Sequence, residues 1–136
     1  MKLRFEVDGD EFILAGEASS QVKRVLKQLG VSSEIIRKIA IAMYEAEINM
    51  VIHANGGEIE VEITPKRVYI ILKDKGPGIP DINLAMQEGY STANEKVREL
   101  GFGAGMGLPN MKKYSDGLNI TSEIGKGTTV EITVYI

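Results

Sequence analysis

"SEIIRKIAIAMYEAEINMVIHA", residues 33–54, is apolar nearly all the way round from Ile35 to Ala54, yet it carries Glu45, Asn49 and His53 at four-residue spacing. With 3.6 residues to a turn, those three side chains stack on one helix face, about 6 Å apart along the axis. A helix that is apolar all round belongs in a protein interior, where a carboxylate is costly without a partner. Beside an amide oxygen one turn away, Glu45 suits proton abstraction or, together with Asn49, a hard cation such as Mg2+. The same residues also read as the solvent stripe of the helix, with Glu47 on another exposed edge. Taken alone, His53 reads rather as a side chain near the helix C-terminus that bonds the last carbonyls.

Working outward, "KLRFEV" (2–7) alternates apolar and polar residues as a strand does. An Asp8-Gly9 turn and a short strand near "EFILA" (11–15) follow. Ser19 or Ser20 is placed to cap a helix carrying Val22, Val25, Leu26 and Leu29, which Gly30 ends. Ser32 or Ser33 caps the long helix, and Asn55-Gly56-Gly57 stops it. "EIEVEIT" (58–64) and "RVYIILKD" (67–74) read as an antiparallel pair joined around Pro65-Lys66. "DKGPGIPD" (74–81) is a loop, and "INLAMQEGYSTANEKVREL" (82–100) a short helix and then a polar segment. "LPNMKKYSD" (108–116) suits a short helix with Pro109 in its first turn. "LNITSEIG" and "TTVEITVYI" close the chain as strands around Gly125-Lys126-Gly127. The order predicts an α+β fold: a two-layer sandwich with a mainly antiparallel, mixed sheet and helices on one face, forming one domain over 1–136. A doubly wound fold is excluded, because no βαβ order occurs.

Composition narrows the function. The 136 residues carry a net charge of −3, which argues against a nucleic-acid partner. No cysteine is present, hence no disulfide and no thiol nucleophile, and the lone histidine makes a zinc site improbable. No stretch is long and apolar enough for a membrane span, and "MKLRFEVDGD" lacks a signal-peptide core, so a cytoplasmic protein with no membrane partner is expected. Exposed apolar positions such as Ile13 or Leu14 offer a dimer edge, and they fit a core as well.

Two glycine-rich loops remain. In "DKGPGIPD", Asp74 ends a strand directly before Gly76 and Gly78. A carboxylate there can accept a hydrogen bond from an exocyclic amine while the glycines admit a flat ring; it can also simply bond nearby amides in a turn. In "GFGAGMGL" (101–108) every second residue from Gly101 to Gly107 is glycine, and a helix follows. The spacing matches neither the dinucleotide-binding fingerprint nor a P-loop, but N–H groups opening a helix suit phosphate.

Taken together, these motifs resemble the GHKL, or Bergerat-fold, ATPases and kinases, from about residue 40 onward. "EAEINMVIHA" resembles the N-box, "DKGPGIP" and "GAGMGL" the two glycine boxes, and "GKGTTVEI" the last motif. The resemblance implies ATP and Mg2+ as cofactors, with Glu45 as general base and Asn49 as the Mg2+ ligand. It implies a nucleotide pocket of Asn49, His53, Asp74, Gly76, Gly78, Ile79, Gly101, Gly103, Ala104, Gly105, Met106, Gly107, Leu108 and Thr128. Within that pocket Asp74 would hold the adenine amine and Thr128 would support the base. The stretch from about Gly89 to Gly101 would be the ATP lid, and Lys96, Arg98 or Lys112 would reach phosphate.

The chain length points away from sensor kinases and from the gyrase and chaperone branches, toward stand-alone regulators of bacterial partner switching. Among these the glycine boxes are more similar to the serine kinases that phosphorylate STAS-domain antagonists. The expectation is therefore a serine/threonine kinase acting on such an antagonist. The alternatives are a nucleotide-gated anti-sigma factor bound to a sigma subunit and a catalytically silent ATP-binding regulator.

Overall fold

The computed structural model describes residues 1–8, 16–53, 56–75 and 107–136. Its elements run β1 (Lys2–Asp8), α1 (Glu17–Gln28), α2 (Ser33–His53), β2 (Gly56–Ile63), β3 (Arg67–Asp74), α3 (Gly107–Lys113), β4 (Gly117–Glu123) and β5 (Gly127–Tyr135). The strands form one sheet in the order β1-β2-β3-β5-β4, and all four pairings are antiparallel. The short strand expected near residues 11–15, the first glycine loop beyond Lys75 and the expected lid lie outside the described residues.

Strand alternation sorts the sheet into two faces. The register aligns Val61, Ile70 and Ile132 across three strands, and Ile59, Leu72 and Val130 beside them. These side chains are buried against Ile39, Met43 and Met50 of α2 and Met111 of α3. Arg4, Glu60 and Lys73 lie on the opposite, exposed face. The expected α+β sandwich is therefore the fold found. Helix α2 is its central beam, packed on the sheet beneath and on α1 and α3 at its sides.

Helix starts follow local chemistry in one case and tertiary chemistry in the other. At α2, Ser32 is the cap: its hydroxyl accepts from the Ile35 N–H at 3.4 Å, and its carbonyl from the Ile36 N–H at 3.0 Å. At α1 the expected serine cap is corrected. The helix begins ahead of Ser19, at Glu17, with Gly16 in the left-handed conformation at its cap (φ 92°) and no side chain of its own there. The cap comes from α2 instead. Glu47 accepts from the N–H groups of Gly16 (2.9 Å), Ala18 (3.3 Å) and Ser19 (3.0 Å), and from the Ser19 hydroxyl (2.8 Å). Glu47 is thus only 2% exposed, not the exposed edge residue the helix pattern suggests. A buried carboxylate is tolerable here because it meets the orphan N–H groups and positive end of a helix.

Candidate functional site

Two residues before Glu47, Glu45 sits on a different face of α2 and is half-buried. One of its oxygens, Oε1, accepts from the side-chain amide of Asn110 on α3 at 3.3 Å. Asn49, one turn further along, is half-buried as well. Neither residue is part of a solvent stripe, and neither is sealed in the core. Tyr44 is next to Glu45 and packs its ring where a Cβ at Gly16 would otherwise lie, 2.6 Å from its Cε2. Partial burial, and then the charges of Glu45 and Glu47, hold the Tyr44 phenol above its ordinary pKa.

Met50 carries the helix onto the second part of the site. A Cβ at Gly57 would lie 2.8 Å from both the Met50 methyl and Asp74 Cα, and would collide with the Lys73 carbonyl oxygen. The register places Gly57 directly opposite Asp74, so this glycine lets β2 close against the end of β3. On the other side stands Gly127, whose φ of 126° suits glycine alone and whose Cβ would strike the Asp74 carbonyl. The backbone of Asp74 is therefore clasped between two glycines. Its carboxylate Oδ1 accepts from the Thr128 N–H at 2.9 Å. Thr128 is buried, and its hydroxyl lies 2.9 Å from that of Ser122. Asp74 is thus fixed in backbone and side chain at the end of β3, and the backbone there fills the space that a Cβ on either flanking glycine would need.

Of the other residues picked out in the sequence, Gly107 and Leu108 open α3 and His53 closes α2; the surroundings of their side chains are outside the described set. Lys112 is exposed on α3. Gly76, Gly78, Ile79, Gly101, Gly103, Ala104, Gly105, Met106, Lys96 and Arg98 lie outside the described residues. The structure adds Asn110, Gly57, Gly127 and Ser122. Asn110 contacts a residue 65 positions away, which no local pattern announces. Gly57 and Gly127 are visible in the sequence as turn glycines, but their clasp on Asp74 depends on strand order.

Residues 34–136 match the family described as "Histidine kinase-, DNA gyrase B-, and HSP90-like ATPase". The serine/threonine-protein kinase RsbT of Bacillus subtilis is 34% identical over 84% of this chain and 83% of its own length. An anti-sigma F factor of Caldanaerobacter subterraneus is 36% identical over 88% of this chain and 83% of its own. Among solved structures, the RsbU and RsbW domains of a Mycobacterium tuberculosis protein superpose on 98% of this chain with a TM-score of 0.66 at 17% identity. This chain spans 32% of that one. The SiaB–SiaC complex from Pseudomonas aeruginosa gives a TM-score of 0.58 over 98% of this chain at 10% identity; both likenesses bear on the fold. With the family match running from α2 to the last residue, the chain belongs to the histidine kinase-, DNA gyrase B- and HSP90-like ATPases.

Proposed function

We propose that the chain is an ATP-dependent serine/threonine protein kinase of a partner-switching module, which transfers the γ-phosphate of ATP to a serine of a STAS-domain antagonist. The observation that carries this reading is the pairing on α2 of Glu45, steered by Asn110, with Asn49 one turn away and Met50 backing onto Asp74. In a kinase, catalysis is mostly positioning and electrostatic stabilisation. Asp74 would accept from the adenine amine, with Gly76 and Gly78 alongside the base. Glu45 would orient the serine hydroxyl and take its proton as the oxygen attacks phosphorus. Mg2+, when bound through Asn49 and phosphate oxygens, would neutralise charge on the transferring group.

The relatives named above include an anti-sigma F factor, which supports a second reading: a nucleotide-gated protein that sequesters a sigma subunit. The two share one pocket and differ in what docks beside it. Localisation in the cytoplasm fits either, and no helix among the described residues is long and apolar enough to cross a membrane.

Calorimetry with Mg-ATP tests the pocket, comparing the wild type with Asp74→Asn. An amide keeps one oxygen for the Thr128 N–H and turns its NH2 toward the adenine amine, donor against donor. Binding is expected in the wild type and a loss of at least ten-fold in the variant. Equal binding by both would remove Asp74 from adenine recognition. Incubation with a STAS-domain protein and labelled ATP then separates the readings. Phosphoserine supports the kinase, and a nucleotide-dependent sigma complex without phosphoserine supports the alternative.

A further inference from the structure

The helix-facing side of the sheet ends in a polar row. Across β3, β5 and β4 the register stacks Ile70–Ile132–Leu118 and then Leu72–Val130–Ile120, all in the core or packed against it. One step further along the same face stand Asp74, Thr128 and Ser122. Thr128 is only 7% exposed, and a buried hydroxyl is costly unless it is hydrogen-bonded. Asp74 joins the row through the Thr128 N–H, which donates to its Oδ1 at 2.9 Å. Ser122 lies directly opposite Thr128 in the ladder, and the two hydroxyl oxygens are 2.9 Å apart. The Ser122 hydroxyl also donates to the Gly127 carbonyl, at 3.4 Å. A carbonyl oxygen only accepts, so that bond takes the single hydrogen of the serine hydroxyl. The hydrogen at the 2.9 Å contact then comes from Thr128. The chain of donors runs from Thr128 to Ser122 to the Gly127 carbonyl, and Thr128 Oγ1 is left to meet a ligand with lone pairs alone.

We infer that Ser122 is a specificity-determining positioning residue: by drawing off the Thr128 hydrogen, it makes the pocket take a purine with an amine at C6 and reject one with a carbonyl oxygen there. This role rests on the proposed pairing of Asp74 with the adenine amine. The Asp74 carboxylate only accepts, and with its hydrogen given to Ser122 the Thr128 hydroxyl only accepts as well. An exocyclic amine brings two hydrogens to such an edge, whereas a 6-oxo group brings lone pairs against lone pairs. Polar groups that find no partner on the wrong ligand are what allow a site to discriminate strongly. Without Ser122, the Thr128 hydroxyl could turn and donate to the 6-oxo oxygen, and the choice would blur. Ser122 acts at the right place for this. The carbonyl that receives its hydrogen belongs to Gly127, the glycine packed against the Asp74 carbonyl, so the hydroxyl chain and the backbone clasp meet at one residue.

Calorimetry on the full chain tests this with Mg-ATP and with the magnesium complex of inosine triphosphate, which carries the carbonyl oxygen in place of the amine. The wild type is expected to prefer ATP by about 100-fold or more. Ser122→Ala releases the Thr128 hydrogen, and the preference is expected to drop about ten-fold, the worth of one hydrogen bond, mainly through tighter binding of the inosine nucleotide. Ser122→Thr keeps a hydroxyl at the position and is expected to keep the preference. Thr128→Val removes the hydroxyl that Ser122 directs, so adding Ser122→Ala to it should change the preference no further. A thermal melt without nucleotide shows that each variant is folded; a purely structural role would weaken both nucleotides together and leave their ratio unmoved. Four results would each overturn the role of Ser122 while leaving ATP binding in place: equal binding of the two nucleotides by the wild type, an unchanged ratio in Ser122→Ala, Ser122→Thr as permissive as Ser122→Ala, or a further drop in the double variant. A wild type that binds neither nucleotide would overturn this role and the proposed kinase together.

Discussion

Glu45 and Glu47 lie two residues apart on one helix, and the fold treats them in opposite ways. Glu47 is sealed in and surrounded by donors: three backbone N–H groups and the Ser19 hydroxyl share its two oxygens. Glu45 is half-buried, and among the described residues its carboxylate has one long contact, the Asn110 amide at 3.3 Å. A carboxylate with its lone pairs occupied by fixed donors is a strut. One that is merely steered keeps acceptor capacity for an incoming hydroxyl. Because successive helix positions are about 100° apart, two residues suffice to turn one glutamate onto α1 and the other toward α3. A structural carboxylate and the one proposed for chemistry can therefore share a turn of helix without competing.

The largest effect should come from breaking the strut. Glu47→Ala strands the first N–H groups of α1 in a buried junction, and the loss should be about 3 kcal/mol of unfolding free energy. Urea denaturation measures it. A change below about 0.5 kcal/mol would show that α1 is held by its apolar face, through Val22 and Leu26, alone. Glu45→Gln should do the reverse: nearly unchanged stability, nucleotide binding retained, and phosphoryl transfer slowed about 100-fold, as for loss of a general base. If Glu45→Gln destabilised the fold as much as Glu47→Ala, the contrast between the two residues would collapse.

A smaller change probes the steering. Asn110→Ala removes the contact that sets the Glu45 rotamer while leaving both Glu45 and the core residue Met111 in place. About 1.5 kcal/mol, or roughly ten-fold in transfer rate, is expected from a single hydrogen bond to a charged group, with the melting temperature almost unmoved. A kinase assay and a thermal melt on the same preparation decide it. An unchanged rate would mean that Glu45 needs no partner on α3.

Much of this was legible in the sequence. Strand alternation in "KLRFEV", "EIEVEIT" and "RVYIILKD" predicts the sheet, and the Glu45–Asn49 spacing with Asp74 at a strand end is what puts the candidate site forward. The illegible parts share a physical cause. Glu47 looks like a surface residue because its partners, Gly16 to Ser19, are some 30 residues upstream, and helical periodicity knows nothing of them. Ser19 looks like a cap because serine at a helix start usually is one; here its hydroxyl donates to Glu47 instead. Asn110 acquires meaning only once α3 packs on α2, and the two glycines around Asp74 only once β2 and β5 flank β3. Period and capping report local chemistry, whereas the supports of a site come from distant chain segments.

The finest contrast is electrical and is read at Tyr44. Its phenol is held above the ordinary value first by partial burial, then by Glu45, then by Glu47. A raised pKa means that the fold favours the neutral phenol. That contribution to stability is complete below the unfolded value near 10 and is lost as pH climbs through the folded one. Glu45→Gln removes the charge with the stronger influence on Tyr44, so the phenol should titrate at lower pH than in the wild type but still above its ordinary value, because burial remains. Tyr69 is the internal control. Its phenol is also held high, by burial and by Glu131, and neither cause involves Glu45. Ring-labelled NMR across an alkaline titration, with Tyr44→Phe to assign the signal, follows both residues at once. A shift confined to Tyr44 places the Glu45 charge beside it in solution, on the half-buried side of α2. Equal movement of Tyr69 would mean that the substitution had loosened the whole fold, and Glu45 would then be as much a strut as Glu47.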